Sequence, residues 1–190
     1  PDRIDTLFRV WERELARLRK REHDPAGEPP PAMRGGEPSL EELAARMSPS
    51  DASVPNGSSI AMLIEHQGAS VLLCGDAVPE VMVPAIRALI ARRKLNGPLT
   101  IDVCKLSHHG SKSNTTVELS GLVRARHHIV STNNSHFKHP DPEAIARVVL
   151  GCPGTTLWFD YDTPQNRRWG VSELVARYRY QVRYPERHGA

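Results

Sequence analysis

Ser107-His108-His109-Gly110-Ser111-Lys112-Ser113 is the stretch on which the reading of the fold turns. It follows Ile101-Asp102-Val103-Cys104-Lys105-Leu106, a short alternating run that predicts a strand. Two adjacent histidines therefore stand where a strand ends, a glycine turns the chain, and small hydroxyl residues follow. Strand ends are where α/β folds place ligands and catalytic groups. From these residues alone three readings are open: a metal site, a hydroxyl-nucleophile site, or a polar turn.

Upstream, Ser58–Glu65 and Ala69–Cys74 are apolar runs separated by His66-Gln67-Gly68, which predicts a hairpin. The second run ends in Gly75-Asp76-Ala77, so a carboxylate also follows a strand. Pro79 opens a helix to about Arg93, and Asn96-Gly97-Pro98 stops the pattern. Downstream, Thr116–Val123 predicts a short helix and His127–Thr132 a strand, followed by the polar loop Asn133 to Pro142 with His136 and His139. Asp141 and Pro142 suit the cap and first position of a helix Glu143–Leu150. Strand Thr155–Phe159, helix Val171–Tyr178 and strand Tyr180–Tyr184 complete the pattern. At the other end, Leu7, Trp11, Leu15 and Leu18 predict an amphipathic helix over residues 4–22, Asp24–Pro38 a Pro/Gly-rich loop, and Ser39-Leu40-Glu41-Glu42 a capping box opening a short helix to about Met47. Residues 1–55 are thus a helical segment of the same domain. Strands alternating with helices after a hairpin predict an α/β domain with a mixed sheet.

The 190 residues suffice for one domain with a core. Charge of +3 permits an anionic substrate without demanding one. Cys74, Cys104 and Cys152 lie singly, which argues against a disulfide framework and for a reducing, cytoplasmic setting. No apolar run reaches membrane-spanning length, and the first residues do not form a signal peptide. The chain begins at Pro1, so residues removed upstream are expected.

Three strand ends carry polar groups: Asp76, His108-His109, and the loop with Asn133, Asn134, His136 and His139. Carboxylate and imidazole are the usual ligands of a hydrolytic zinc or manganese site. A Ser111–His109–Asp76 triad is the alternative, but a nucleophile elbow is lacking. His127-His128 reads as a pair at the start of a strand, away from the rim.

Leu72-Leu73-Cys74-Gly75-Asp76, then Asp102 to Asn114, then Ile129-Val130-Ser131-Thr132-Asn133 and His139-Pro140-Asp141-Pro142-Glu143 resemble the second half of a metallo-β-lactamase-fold hydrolase. Within that superfamily the closest resemblance is to the hydrolase domain of ComEC-type competence proteins and their stand-alone bacterial relatives. The resemblance covers roughly residues 56–150 and implies that residues 56–190 are the C-terminal half of an αββα sandwich. It implies two divalent ions, zinc or manganese, with Asp76 bridging them and one histidine of the pair as a further ligand, His109 with His108 facing substrate or the reverse. With His109 as the ligand, His108 and Lys112 would stabilise charge on a substrate phosphate; Ser111 and Ser113 would contact substrate, and Asn133 and His139 would contact substrate or orient the ligands. The superfamily's His-x-His-x-Asp-His signature is absent before Asn56. A companion chain or segment with the His-rich half is therefore expected, and with it a sheet face left bare in this chain. The implied activity is phosphodiester hydrolysis on nucleic acid, with a non-catalytic structural or regulatory half-domain as the alternative.

Overall fold

A computed structural model describes residues 38–185 apart from His136. The helix expected over 4–22 and most of the Pro/Gly-rich loop lie outside the described residues. Six strands form one sheet in sequence order: β1 (Met62–His66), β2 (Ala69–Leu73), β3 (Leu99–Lys105), β4 (Val123–Val130), β5 (Thr156–Phe159) and β6 (Gln181–Arg183). β1 and β2 form the expected antiparallel hairpin, and the remaining neighbours are parallel. The longer helices are α1 (Leu40–Ala45), α3 (Pro79–Arg92), α4 (Val117–Leu122), α5 (Pro142–Gly151) and α7 (Ser172–Tyr178). Of two further single-turn helices among the described residues, α2 (Val54–Gly57) lies in a polar stretch, Ser48 to Gly57, that reads as loop from sequence, and α6 (Pro164–Arg167) lies between the expected strand and helix, where no element is expected. The capping box is formed: Glu42 N–H donates to Ser39 Oγ at 3.2 Å, and Ser39 N–H donates to Glu42 at 2.7 Å.

Strands in sequence order with right-handed crossovers put every connecting helix on one face. In-register residues identify the two faces. Leu63, Leu72, Cys104, His128, Leu157 and Val182 form an inward row across the sheet. On this side Leu72 and Cys104 pack with Met82 and Ile86 of α3, while Leu157 and Phe159 pack with Ile145 and Val149 of α5 and with Leu40 of α1. The adjacent outward row is Met62, Leu73, Lys105, Ile129, Trp158 and Arg183. Here Met62 and Trp158 are 49% and 42% exposed, and Ile64 in the next row is 47% exposed. An apolar sheet face is therefore bare among the described residues.

β4 starts at Val123, four residues before the strand expected from His127. Val123-Arg124-Ala125-Arg126 alternates as a strand does, but the helical pattern ahead of it masked that start. The inward set shifts phase between Ile101 and Cys104, and between Ala125 and His128 on the neighbouring strand. Asp102 and Arg126 lie at that level, and theirs is the pair missing from an otherwise continuous register. Because both strands shift together, pairing is kept on either side. His128 is thus an inward core residue, with Nδ1 2.8 Å from Thr155 Oγ1. The three cysteines are free and buried. Among the described residues, no helix is long and apolar enough to cross a membrane.

Arg147, buried on α5, ties two loops to the helix layer. Nε donates to Ala44 O at 3.1 Å, Nη1 to Lys112 O at 2.8 Å and Thr115 O at 3.0 Å, and Nη2 to Arg46 O and to Ser48 Oγ. Every guanidinium donor is used.

Arg147→Met should lower the unfolding free energy by roughly 3 kcal/mol or more in urea denaturation, since each buried acceptor left unpaired costs about 1–3 kcal/mol. Burial, with a smaller contribution from His127, pushes the His128 imidazole down to about 4. The unfolded chain then takes up a proton near the ordinary value of about 6.5 that the folded chain refuses. Stability should be intact above that value and fall by about 3 kcal/mol as pH drops from there to about 4. Denaturation midpoints across this window should flatten in His128→Leu relative to the wild type.

Candidate functional site

Asp76, His108, His109, Asn133 and His139 line one recess of about 440 Å³, together with Ser131, Thr132, Phe137 and Tyr161. They reach it from loops after β2, β3, β4 and β5, at one edge of the sheet. Ser111, Lys112 and Ser113 do not line it. Ser111 is buried, and its Oγ accepts from Ser113 N–H at 3.3 Å; Lys112 N–H donates to Asp141 at 2.8 Å. These groups shape the loop that carries the histidines.

The first loop is set by Gly75, at φ +57°, where a Cβ would lie 2.5 Å from Ser59 Oγ. That close approach lets Asp76 N–H donate to Ser59 Oγ at 2.9 Å and Gly75 O accept from His108 N–H at 3.0 Å. Among the described residues the Asp76 carboxylate makes no hydrogen bond, so both of its oxygens are available to the recess.

The second loop holds three successive left-handed residues: His108 at φ 45°, His109 at φ 57° and Gly110 at φ 85°. Left-handed backbone costs a non-glycine residue about 1–2 kcal/mol, and such strain gathers at functional sites. Tertiary contacts sustain it. Gly110 O accepts from Asp141 N–H at 2.9 Å, and a Cβ on Gly110 would meet Pro140 Cβ at 2.8 Å. His109 Nδ1 contacts the Ser131 carbonyl.

The third loop is clamped from below by two asparagines. Asn166, fully buried, donates to Tyr161 O at 2.8 Å and accepts from Asn134 Nδ2 at 3.1 Å. Asn134 also donates to His139 O and accepts from Thr163. His139 Nδ1 is buried 3.5 Å from Asp141 Oδ2 and makes no hydrogen bond among the described residues. Burial alone would raise the Asp141 carboxyl. The His139 side chain and the Lys112 N–H outweigh that and hold it below the usual value. Asp141 occupies the N-cap position expected of it, but its side chain turns to Lys112 and His139 instead of capping α5.

Asp51 and Asn114 are site-shaping residues to which the sequence reading assigned no role. Asp51 accepts from Asn56 Nδ2 at 2.7 Å, Ser53 N–H at 3.0 Å and Asn114 Nδ2 at 3.1 Å, and lies 3.4 Å from His108 Nδ1. Burial would raise its carboxyl, but these contacts outweigh it and hold the group lowered and anionic. Asp51 sits in an aperiodic polar loop, and nothing local links it to a histidine 57 positions on. Asn114 was legible only as a polar residue beside the motif. His127 and His128 do not line the recess.

Carboxylate and imidazole are apt donors for a divalent ion. Among the described residues, however, no group of three or more His, Cys, Asp or Glu side chains is arranged to hold one. The chemistry of the donor set fits a metal; its number, as placed, does not complete a coordination shell. No family model, curated protein or solved structure matches the chain.

Glycine avoids the left-handed penalty at position 109, whereas alanine bears it. His109→Gly should therefore be more stable than His109→Ala by about 1 kcal/mol in urea denaturation. Equal stability would mean that the backbone relaxes out of its left-handed conformation when the ring is removed.

Proposed function

We propose that this chain is the C-terminal half of a metallo-β-lactamase-like hydrolase, acting on phosphodiesters, with nucleic acid as substrate class. Its site is completed by a companion chain or segment carrying the His-rich half. The observation that carries this reading is the convergence of Asp76, His108, His109, Asn133 and His139 on one sheet-edge recess. The bare sheet face supports it too, because a second sheet would bury Met62, Ile64 and Trp158.

Asp76 and His109 would hold the divalent ions, with zinc the best match to these donors and manganese the second. The chemistry such ions would supply there is a coordinated water whose pKa is lowered towards neutrality. The chain's own residues orient and enclose. Ser131 fixes the His109 ring through its carbonyl. Asn133, Tyr161 and Phe137 wall the recess where a substrate would sit. Lys112 lies off that wall and is assigned no substrate contact.

The lack of a three-donor group among the described residues also favours a second reading, a half-domain that supports or masks a partner without catalysing. Hydrolysis of a phosphodiester by the assembled protein separates the two. Asp76→Ala and His109→Ala should each reduce kcat/KM by about 10²-fold or more, on the scale of removing a group that supports the transition state. Retained activity in both variants would overturn the metal assignment. Tight binding of two metal ions per molecule by the isolated chain would overturn the half-site reading.

A further inference from the structure

We propose that Asn114 and Asp51 are positioning residues that hold His108 as the Nδ1-protonated tautomer, so that its Nε2 offers the recess a lone pair rather than a proton. The tautomer stands on hydrogen-bond geometry alone; only the identity of what fills the recess rests on the proposed hydrolase reading.

Asn114 is fully buried, and its amide orientation is determined by its neighbours. Nδ2 faces three acceptors: Asp51 Oδ2 at 3.1 Å, Asp76 O at 3.2 Å and Ala77 O at 3.4 Å. Flipping the amide would set its oxygen against all three, one of them a carboxylate. The amide oxygen must therefore face His108 Nδ1, which lies 3.2 Å away. An amide oxygen only accepts, so Nδ1 carries the proton. Asp51 Oδ2, 3.4 Å from the same nitrogen, is a second acceptor. The opposing group is Asn56 Nδ2, also 3.4 Å from Nδ1, but its amide already donates to Asp51 at 2.7 Å. A bare Nδ1 would place a lone pair against two oxygens in a partly buried site, and one long contact to Asn56 does not compensate.

His109 reaches the same state independently, since the Ser131 carbonyl can only accept from its Nδ1. With the Asp76 carboxylate, the two rings make an acceptor-only wall. A phosphate oxygen placed directly against neutral His108 would meet a lone pair. Of the two roles the resemblance leaves open for His108, a lone pair at Nε2 suits accepting from a donor or a cation, not direct contact with phosphate. Imidazoles oriented through one nitrogen and offering the other are the usual arrangement of metal-binding histidines.

The test is a long-range proton–nitrogen correlation spectrum of the ¹⁵N-labelled full chain at about pH 8, where an ordinary imidazole is neutral. His108→Gln assigns the resonances. The expected pattern is a protonated Nδ1 and an unprotonated Nε2 at His108. Asp51→Ala and Asn114→Ala should each move the pattern towards the Nε2-protonated form. Should Asn114→Ala fail to fold, the wild-type spectrum and Asp51→Ala still decide. A wild-type His108 protonated at Nε2, or a pattern unmoved in every folded variant, would overturn the proposal. The expected tautomer together with no hydrolytic activity in the protein assembled with its companion half would refute the hydrolase reading and leave this inference standing.

Discussion

The buried guanidinium of Arg147 is the interaction on which the site's geometry depends. α5 is nearly all apolar on its inner side, yet it places a permanent charge in the core at Arg147. Such a charge persists only if every donor is matched. The matching acceptors are carbonyls from 44–46 and 112–115 and the hydroxyl of Ser48, none in regular pairing elsewhere. One side chain thus brings together two loops distant in sequence. One leads into Asp51 and the other carries Asn114. Their meeting at His108 follows from that anchoring.

Anchoring also explains how a strained backbone survives. Consecutive left-handed histidines would relax in an isolated loop. Here the turn is held from three sides, by Gly75 O, by Asp141 N–H and by the 111–115 turn fastened to Arg147. The facing loop is fastened in the same manner by Asn134 and Asn166. Both loops hold their polar backbone groups through buried amides or guanidinium, so the recess is bordered by rigid walls. Rigid walls suit a site that must present lone pairs in fixed directions.

Much of this was legible in sequence because period and punctuation are local. The hairpin, α3, the capping box of α1 and the Asp141–Pro142 start of α5 all rest on neighbours within four residues. The convergence of Asp76 with His108 and His109 was legible for a topological reason: β2 and β3 are parallel neighbours, so their following loops share an edge. What escaped was non-local. The start of β4 was hidden because Val123 continues the apolar spacing of α4 before alternation begins. Asp51 carries no periodic signal, and its partner lies across the fold. Lys112 and Ser111 looked like site residues by adjacency, but a turn with three left-handed residues points successive side chains in unlike directions.

The sheet face left bare among the described residues and the recess share the same strand ends, which ties together two features that would otherwise be separate. Leu73 precedes Asp76 by three residues, Lys105 precedes His108 by three, and Ile129 precedes Ser131 by two. Leu73, Lys105 and Ile129 stand side by side in the outermost row of the open face. Any element laid over that row ends beside the recess wall. On the half-site proposal, covering the apolar face and supplying further donors to Asp76, His108 and His109 would be a single docking event. The apolar rows supply the driving force for it, because burying Met62, Ile64 and Trp158 is favourable at about 25 cal/mol per Å² whatever occupies the recess. On the proposed reading, that contact would need only to position further donors, since the lone pairs of Asp76, His108 and His109 already face the recess.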